Sequence, residues 1–585
     1  MKYPTLPSNN SSRQIVEYFK GYNHNLRISD GEFFDMKNMT SDYYPVLSPR
    51  GKRGFYVKPA SPQGLIAKDE ICYVDGSEFV MGQQRIDMGL SVAAKDCPKQ
   101  MVSMGAYVII MPDKKYINTV DLEDFGDIEA SFTSNTDVSF QLSTMTGEVY
   151  TGTIISPDEP ENPENLTYWI DTSSVPHVLK QYSSSSSTWV IIVTTYVKIS
   201  APGIGKQFQQ FDGVTISGIV DEKLKELNGT MVIWAKEDDY IVVVGLLDEV
   251  MKQTVAQGAV KVERRMPNMD YLTESGNRLW GCRYGEAVNG DFVNEIYACK
   301  LGDFRNWSCF MSLSTDSYAA SCGTDGAFTG ATTFLGSPLF FKENCVHKVF
   351  GNYPANFQIQ DTACRGVQKG CHGSLAIVNE TLFYKARSGI CAFDGSLPAE
   401  ASYALGNEVY NSAVGGAHGN KYYVSMKDMR DVWHLFVYDT AKKMWHKEDN
   451  LHAAAFCSHK GELYCIDDDA KNIITMFGSG AEDPDKVQWM VETGELGIAT
   501  PDMKYISSLN VRLFMEIGAK VEIYARYDVS DEWVHVCTVF GTDLRSFFIP
   551  IRPRRCDHMK LRIVGEGMGK IYSITKTIER GSNIS

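Results

Sequence analysis

The sequence predicts an all-β chain: a β-propeller that carries an inserted β-domain and ends in a C-terminal β-sandwich. Three observations lead there. Helical periodicity is almost absent, with residues 221–227 and 248–257 the only short candidates, while runs rich in Val, Ile, Tyr, Phe and Trp recur between Gly, Asp and Asn. Asp75-Gly76, Asn228-Gly229, Asn289-Gly290, Asp325-Gly326 and Asp394-Gly395 are turn pairs that accept positive φ. A phrase of short strand, Gly or Asn turn, Tyr- or Phe-marked strand and polar turn also returns along the chain. From Tyr271 onward it recurs every 40 to 60 residues or so, the spacing of one four-stranded propeller blade.

Taken in order, residues 1–58 read as an extended strap. They are too polar and interrupted for a blade, with Asp30-Gly31 as a turn, a short helical turn over 35–39 and an extended bend at Tyr44-Pro45. Residues 59–125 open the propeller, with phrases from Ile66 and Val102. Residues 126–265 interrupt the phrase. Around a Pro/Glu/Asn loop from Pro157 and a serine run, Ser183 to Ser187, lie strands such as those from Trp189 and Tyr240, so this is an inserted barrel or sandwich. Residues 266–482 resume the propeller, giving five or six blades in all. The outer hairpin from Val437 to Lys447 turns at Asp439 and Thr440 and packs Trp445 back on a neighbouring sheet. Small sheets of this kind bury their faces only by stacking on one another. Residues 483–585 form the C-terminal sandwich.

Composition narrows the function. At 585 residues, 43% hydrophobic and 22% charged, the chain buries a substantial core. A net charge of −15 and a pI near 5.3 argue against gripping nucleic acid through its phosphates. Two small basic clusters, Arg50, Lys52 and Arg53, and Arg552, Arg554 and Arg555, read as solvated faces or subunit contacts. The 14 cysteines include no C-x-x-C pair, and several, such as Cys299 and Cys465, sit in apolar strand patterns, as reduced core thiols of a protein made in a cytoplasm do. The first residues hold no apolar signal segment, and no run of about 18 apolar residues marks a membrane span.

A search for chemistry yields no catalytic, cofactor-binding or metal-binding residues, and the expectation is a chain that is not an enzyme. Among 72 acidic residues no carboxylate pair stands out, and the string from Ser314 lacks the Gly and Trp of a sialidase-type turn. His446, His452 and His459 lie close in sequence but read as turn and surface histidines. Gly203-Ile204-Gly205-Lys206 lacks the spacing and following helix of a phosphate loop.

The stretch from Phe19 to Phe55 carries a resemblance. Asp30, Gly31, Asn38, Met39, Tyr44, Pro45, Leu47, Pro49, Arg50 and Gly51 resemble the opening of propeller-bearing tail proteins of tailed bacteriophages, with Gly51 departing by following Arg50 directly. The segment from Asn294 to Trp307 looks like the blade phrase of the same proteins, ending in a G-D-x-x-N-W turn. The resemblance leaves the insert uncovered. It implies a virion structural protein made in the host bacterial cytoplasm, a tail hub or nozzle of the DNA-stabilisation type. Its partners would be copies of itself in a hexameric ring, portal or adaptor proteins, tail fibres or spikes, and packaged DNA sliding through an acidic lumen. Two other readings stay open: a receptor- or glycan-binding tail component stacking sugars on Trp280, Trp307 or Trp433, and a glycan-degrading enzyme.

Overall fold

The computed structural model describes residues 11–92, 99–287, 289–478, 486–498 and 503–580. Strand accounts for 53% and helix for 3%, so the chain is all-β. Outside residues 130–264, the described residues contain seven four-stranded antiparallel arrays, covering 62–87, 100–127, 271–321, 330–363, 376–400, 410–447, and 453–475 together with 54–57. Residues 54–57, read from the sequence as part of the strap, complete the last of these arrays. The chain divides into two compact units: residues 1–99, 341–346 and 362–585, and residues 100–340 and 347–361.

In the first unit the strap is woven into sheets. It contributes β1 (Ser11–Val16), β2 (Gly21–Tyr22), β3 (Glu32–Lys37) and β4 (Gly54–Val57). Strand β4 pairs antiparallel with β5 (Asn472–Thr475), joining two segments far apart in the sequence in one small sheet. Ile71, Tyr73 and Val80 of the 62–87 sheet share a core with Ile466 and Ile473. The helical turn expected over 35–39 is replaced by β3. A bulge between Phe33 and Asp35 resets the alternation, so Phe33 and Met36 both face the core three residues apart. That spacing imitates a helix in the sequence.

The C-terminal strands are β6 (Gln488–Thr493), β7 (Lys504–Tyr527), β8 (Val534–Ile549), β9 (Met559–Glu566) and β10 (Gly569–Arg580). They are not a free-standing sandwich. They run in the order β1-β10-β7-β9-β6-β3-β2 and continue through Met444–Lys447 into the 410–447 array. Long β7 pairs with β10 over its first half and with β9 over its second, while β8 follows its other edge. Alternate β7 side chains, Leu509, Val511 and Leu513 and then Val521, Ile523 and Ala525, are buried, as the period-two pattern requires. Trp489 on β6 packs against Gly565, where an added Cβ would lie 2.0 Å from the indole. The outer hairpin of the 410–447 array buries Trp445, whose indole N–H donates to the Ala401 carbonyl at 2.8 Å.

In the second unit, residues 130–264 form a sandwich. One sheet contains Ala130–Thr133, Gly213–Ser217, Gly229–Val232 and Lys261–Arg264; the other contains Val138–Ser143, Tyr196–Ser200, Ala235–Glu237, Tyr240–Val244 and Met251–Gln253. Phe140, Ile199, Val214, Ile216, Ile241 and Val262 fill the space between them. A third small sheet over residues 154–191 packs around Leu142, Ile170 and Leu179, and the serine run forms its hairpin turn. Residues 222–227 form a short 3-10 helix capped by Asp221. The helix expected over 248–257 is instead an edge strand, Met251–Gln253, and one 3-10 turn, because pairing with Val138–Phe140 outweighs local propensity.

Candidate functional site

The residues that carry the N-terminal resemblance form a clasp inside the first unit. The Asp30 carboxylate accepts from Lys576 Nζ at 2.7 Å. Gly31 has φ +91, and a Cβ there would sit 2.5 Å from the Tyr18 carbonyl, so glycine is required. Asn38, at φ 58, donates to the Gln488 carbonyl at 2.8 Å and accepts from Arg50 Nε at 3.0 Å. Met39 pairs with Pro49, and Leu47 bridges Ile571.

Arg50 and Arg53 were expected on a solvated face or subunit contact; they are instead internal. Arg53 meets Glu448 at 2.9 Å and Asp449 at 2.7 Å, while Arg50 reaches the same two carboxylates at 3.3 and 3.2 Å. Burial pushes the Asp449 carboxyl up, but the Arg53 and Arg50 guanidiniums outweigh it and hold the group below its ordinary value. Arg552, Arg554 and Arg555 are exposed.

The G-D-x-x-N-W turn does comparable work in the second unit. Asn306 is fully buried, accepts from the Gly213 N–H at 3.1 Å and donates to the Phe211 carbonyl at 2.7 Å, locking the sandwich to this turn. Gly213 tolerates no side chain, since a Cβ would meet the Ser308 carbonyl at 2.2 Å.

A cleft of about 700 Å³ opens where the sandwich joins the small sheets of that unit. Its carboxylates are Asp113, Asp127, Glu129, Glu263 and Glu286, and its cations Lys114, Arg264, Arg265 and Arg283. Lys114 meets Glu129 at 2.7 Å and Arg265 meets Glu263 at 2.7 Å. Asp127 is paired with Lys115 at 3.3 Å, and Arg283 with Asp270 at 2.8 Å. Arg264 makes a buried pair with Asp212 at 2.7 Å. Among the described lining residues none is aromatic. Sequence reasoning missed this cleft, although G-D-I-E and V-E-R-R flank the interrupted region and mark both of its junctions.

The other candidates from the sequence stay apart. Trp280 and Trp307 are buried and donate to the Ser275 and Phe304 carbonyls, so neither offers a face to a sugar. Trp433 stacks on His452 at 4.1 Å, and His452 meets Asp469 at 2.8 Å. His446 is buried in its sheet, and that burial pushes it down to about 3. Asp316, in the string from Ser314, is buried and accepts from the Leu313 N–H at 3.0 Å as a loop latch. Gly205 lies under the Glu237 carbonyl, in a turn. Among the described residues no three His, Cys, Asp or Glu side chains converge as a metal set, and no helix is long and apolar enough to cross a membrane. Burial raises the Cys299 thiol to about 12.

No family model and no curated protein matches the chain. Among solved structures it is similar to an exo-β-1,3-galactanase from Phanerochaete chrysosporium, at 8% identity over 52% of this chain and 94% of that one, with a TM-score of 0.20. It is also similar to a glycoside hydrolase family 43 arabinoxylan arabinofuranohydrolase from Bacillus subtilis, at 10% identity over 53% and 94%, with a TM-score of 0.16. A Trypanosoma rangeli sialidase mutant with trans-sialidase activity matches at 7% identity over 90% and 95%, with a TM-score of 0.20. The expectation of a chain that is not an enzyme is withdrawn on this finding, since these matched proteins are glycan-acting enzymes. Likenesses with scores this low do not carry those activities over to this chain.

Proposed function

We propose that the chain is a structural subunit of a bacteriophage tail, a hub or nozzle protein that assembles with copies of itself into a ring through which DNA passes. What supports this reading best is the work done by the residues that carry the resemblance. Asp30, Gly31, Asn38, Leu47 and Arg50 tie the strap into the fold, and Asn306 ties in the sandwich. The resemblance therefore rests on fold-determining contacts. In this reading the small four-stranded sheets are propeller blades, and the β4–β5 pair sews the N-terminal segment into one of them. The net charge of −15 suits a lumen along which DNA slides without sticking. Quantitative mass spectrometry of purified phage particles tests the proposal. A fixed low copy number per particle is the expected result, and absence from intact particles would overturn it.

A second reading, glycan processing, is favoured by the five carboxylates of the cleft. Its test is sugar release from cell-wall and capsule polysaccharides, compared between the native chain and Glu129→Gln and Glu263→Gln variants. Release that both substitutions abolish would establish the enzyme reading in place of the structural one.

A further inference from the structure

The first half of β7 is the centre of a four-stranded antiparallel array in the order β1-β10-β7-β8, and both outer strands have a free side among the described residues. Strand β8 runs for 16 residues and, among the described residues, pairs only with β7. An exposed edge of that length bearing apolar side chains is a template for another strand. Here the side chains are Leu544 and Phe548, and at the opposite edge Ile15 of β1.

Direction and register match between the two edges. Successive strands alternate, so β8 and β1 run in opposite senses, and β1 of another copy set beside β8 continues the array antiparallel without reversal. Reading across the sheet, Ile15, Thr575, Asn510 and Phe548 lie in one cross-strand row. Ile15 is 54% exposed and Phe548 63%, and they end the same row on the same face. The next row ends in Val16 and Phe547.

We propose that β1 of one copy pairs with the C-terminal half of β8 of another, bringing Ile15 against Phe548 and extending the sheet from subunit to subunit. The contact is heterologous, which generates a closed ring or an open helix instead of a two-fold dimer. The inference rests on the assembly reading and names the surface that performs it.

Two differently mass-tagged preparations of the full chain test it, one with Ile15→Cys and the other with Phe548→Cys, mixed and treated with a short bis-maleimide. The expected product is a peptide joining position 15 of one tag to position 548 of the other, absent from the untreated mixture and from the native chain. A companion Phe548→Lys variant, with unchanged circular dichroism, is expected to sediment as a smaller species than the native chain. Peptides joining 548 only to 548 would overturn the pairing in favour of a two-fold contact. A sedimenting oligomer without any joined 15–548 peptide would overturn the pairing while leaving the assembly reading intact. A chain that stays monomeric at all concentrations would overturn both.

Discussion

Arg53 shows how one position is read differently alone and in place. Its guanidinium and that of Arg50 share Glu448 and Asp449, and all four side chains are largely buried. Removing one partner of such a group leaves an uncompensated charge, so Arg53→Ala is expected to destabilise the first unit by roughly 3 kcal/mol or more in denaturant titration. The network also makes stability depend on acid. Asp449 is held below its ordinary 3.8 in the folded chain, so its contribution is complete above that value and is lost as pH falls through the lower folded value. Asp449→Asn should flatten the stability curve in that acid window. Asn306 is the counterpart in the second unit. Asn306→Ala strands the buried Gly213 N–H and leaves the Phe211 carbonyl only the Lys300 ammonium at 3.4 Å, and is expected to cost about 1–3 kcal/mol. Faster hydrogen exchange at Gly213–Ser217 would check it.

At the scale of elements, strand pairing decides what local pattern leaves ambiguous. Residues 35–39 read as a helical turn until a bulge is seen to place Phe33 and Met36 on one face. Residues 54–57 read as strap until β5 supplies their partner. Because β4 pairs directly with β5, a proline at Phe55 should disrupt that pairing, so Phe55→Pro should loosen β5. The expected outcome is a lower Tm and faster amide exchange at Asn472–Thr475; unchanged exchange would show that β4 contributes little. The irregular register in β7 follows the same logic. Between the Met515–Thr542 and Lys520–Phe540 pairs, Glu516–Ala519 stand opposite the single residue Gly541, where a Cβ would meet the Glu516 carbonyl at 2.2 Å.

Over the whole molecule, charge and architecture carry the functional expectation. A chain with net charge −15 should not retain duplex DNA at physiological salt, which a gel-shift titration checks. A salt-sensitive shift would instead mark a basic surface large enough to grip phosphates and would count against the sliding-lumen reading. The exposed Arg552, Arg554 and Arg555 are the residues such a surface would start from.

The all-β class and the burial of strand cysteines such as Cys299 and Cys465 were legible in the sequence, since each follows from local periodicity and turn chemistry. The cleft was half legible: its charged residues stand at both junctions of the interrupted region, but nothing in the order of residues says that Lys114 and Arg265 will neutralise Glu129 and Glu263 there. What tertiary structure alone decided is pairing at long sequence separation. Arg50 with Asp449, β4 with β5 and β1 with β10 join residues hundreds of positions apart. A strand's own residues specify that it will pair and which face it buries, and only the assembled sheet specifies its partner.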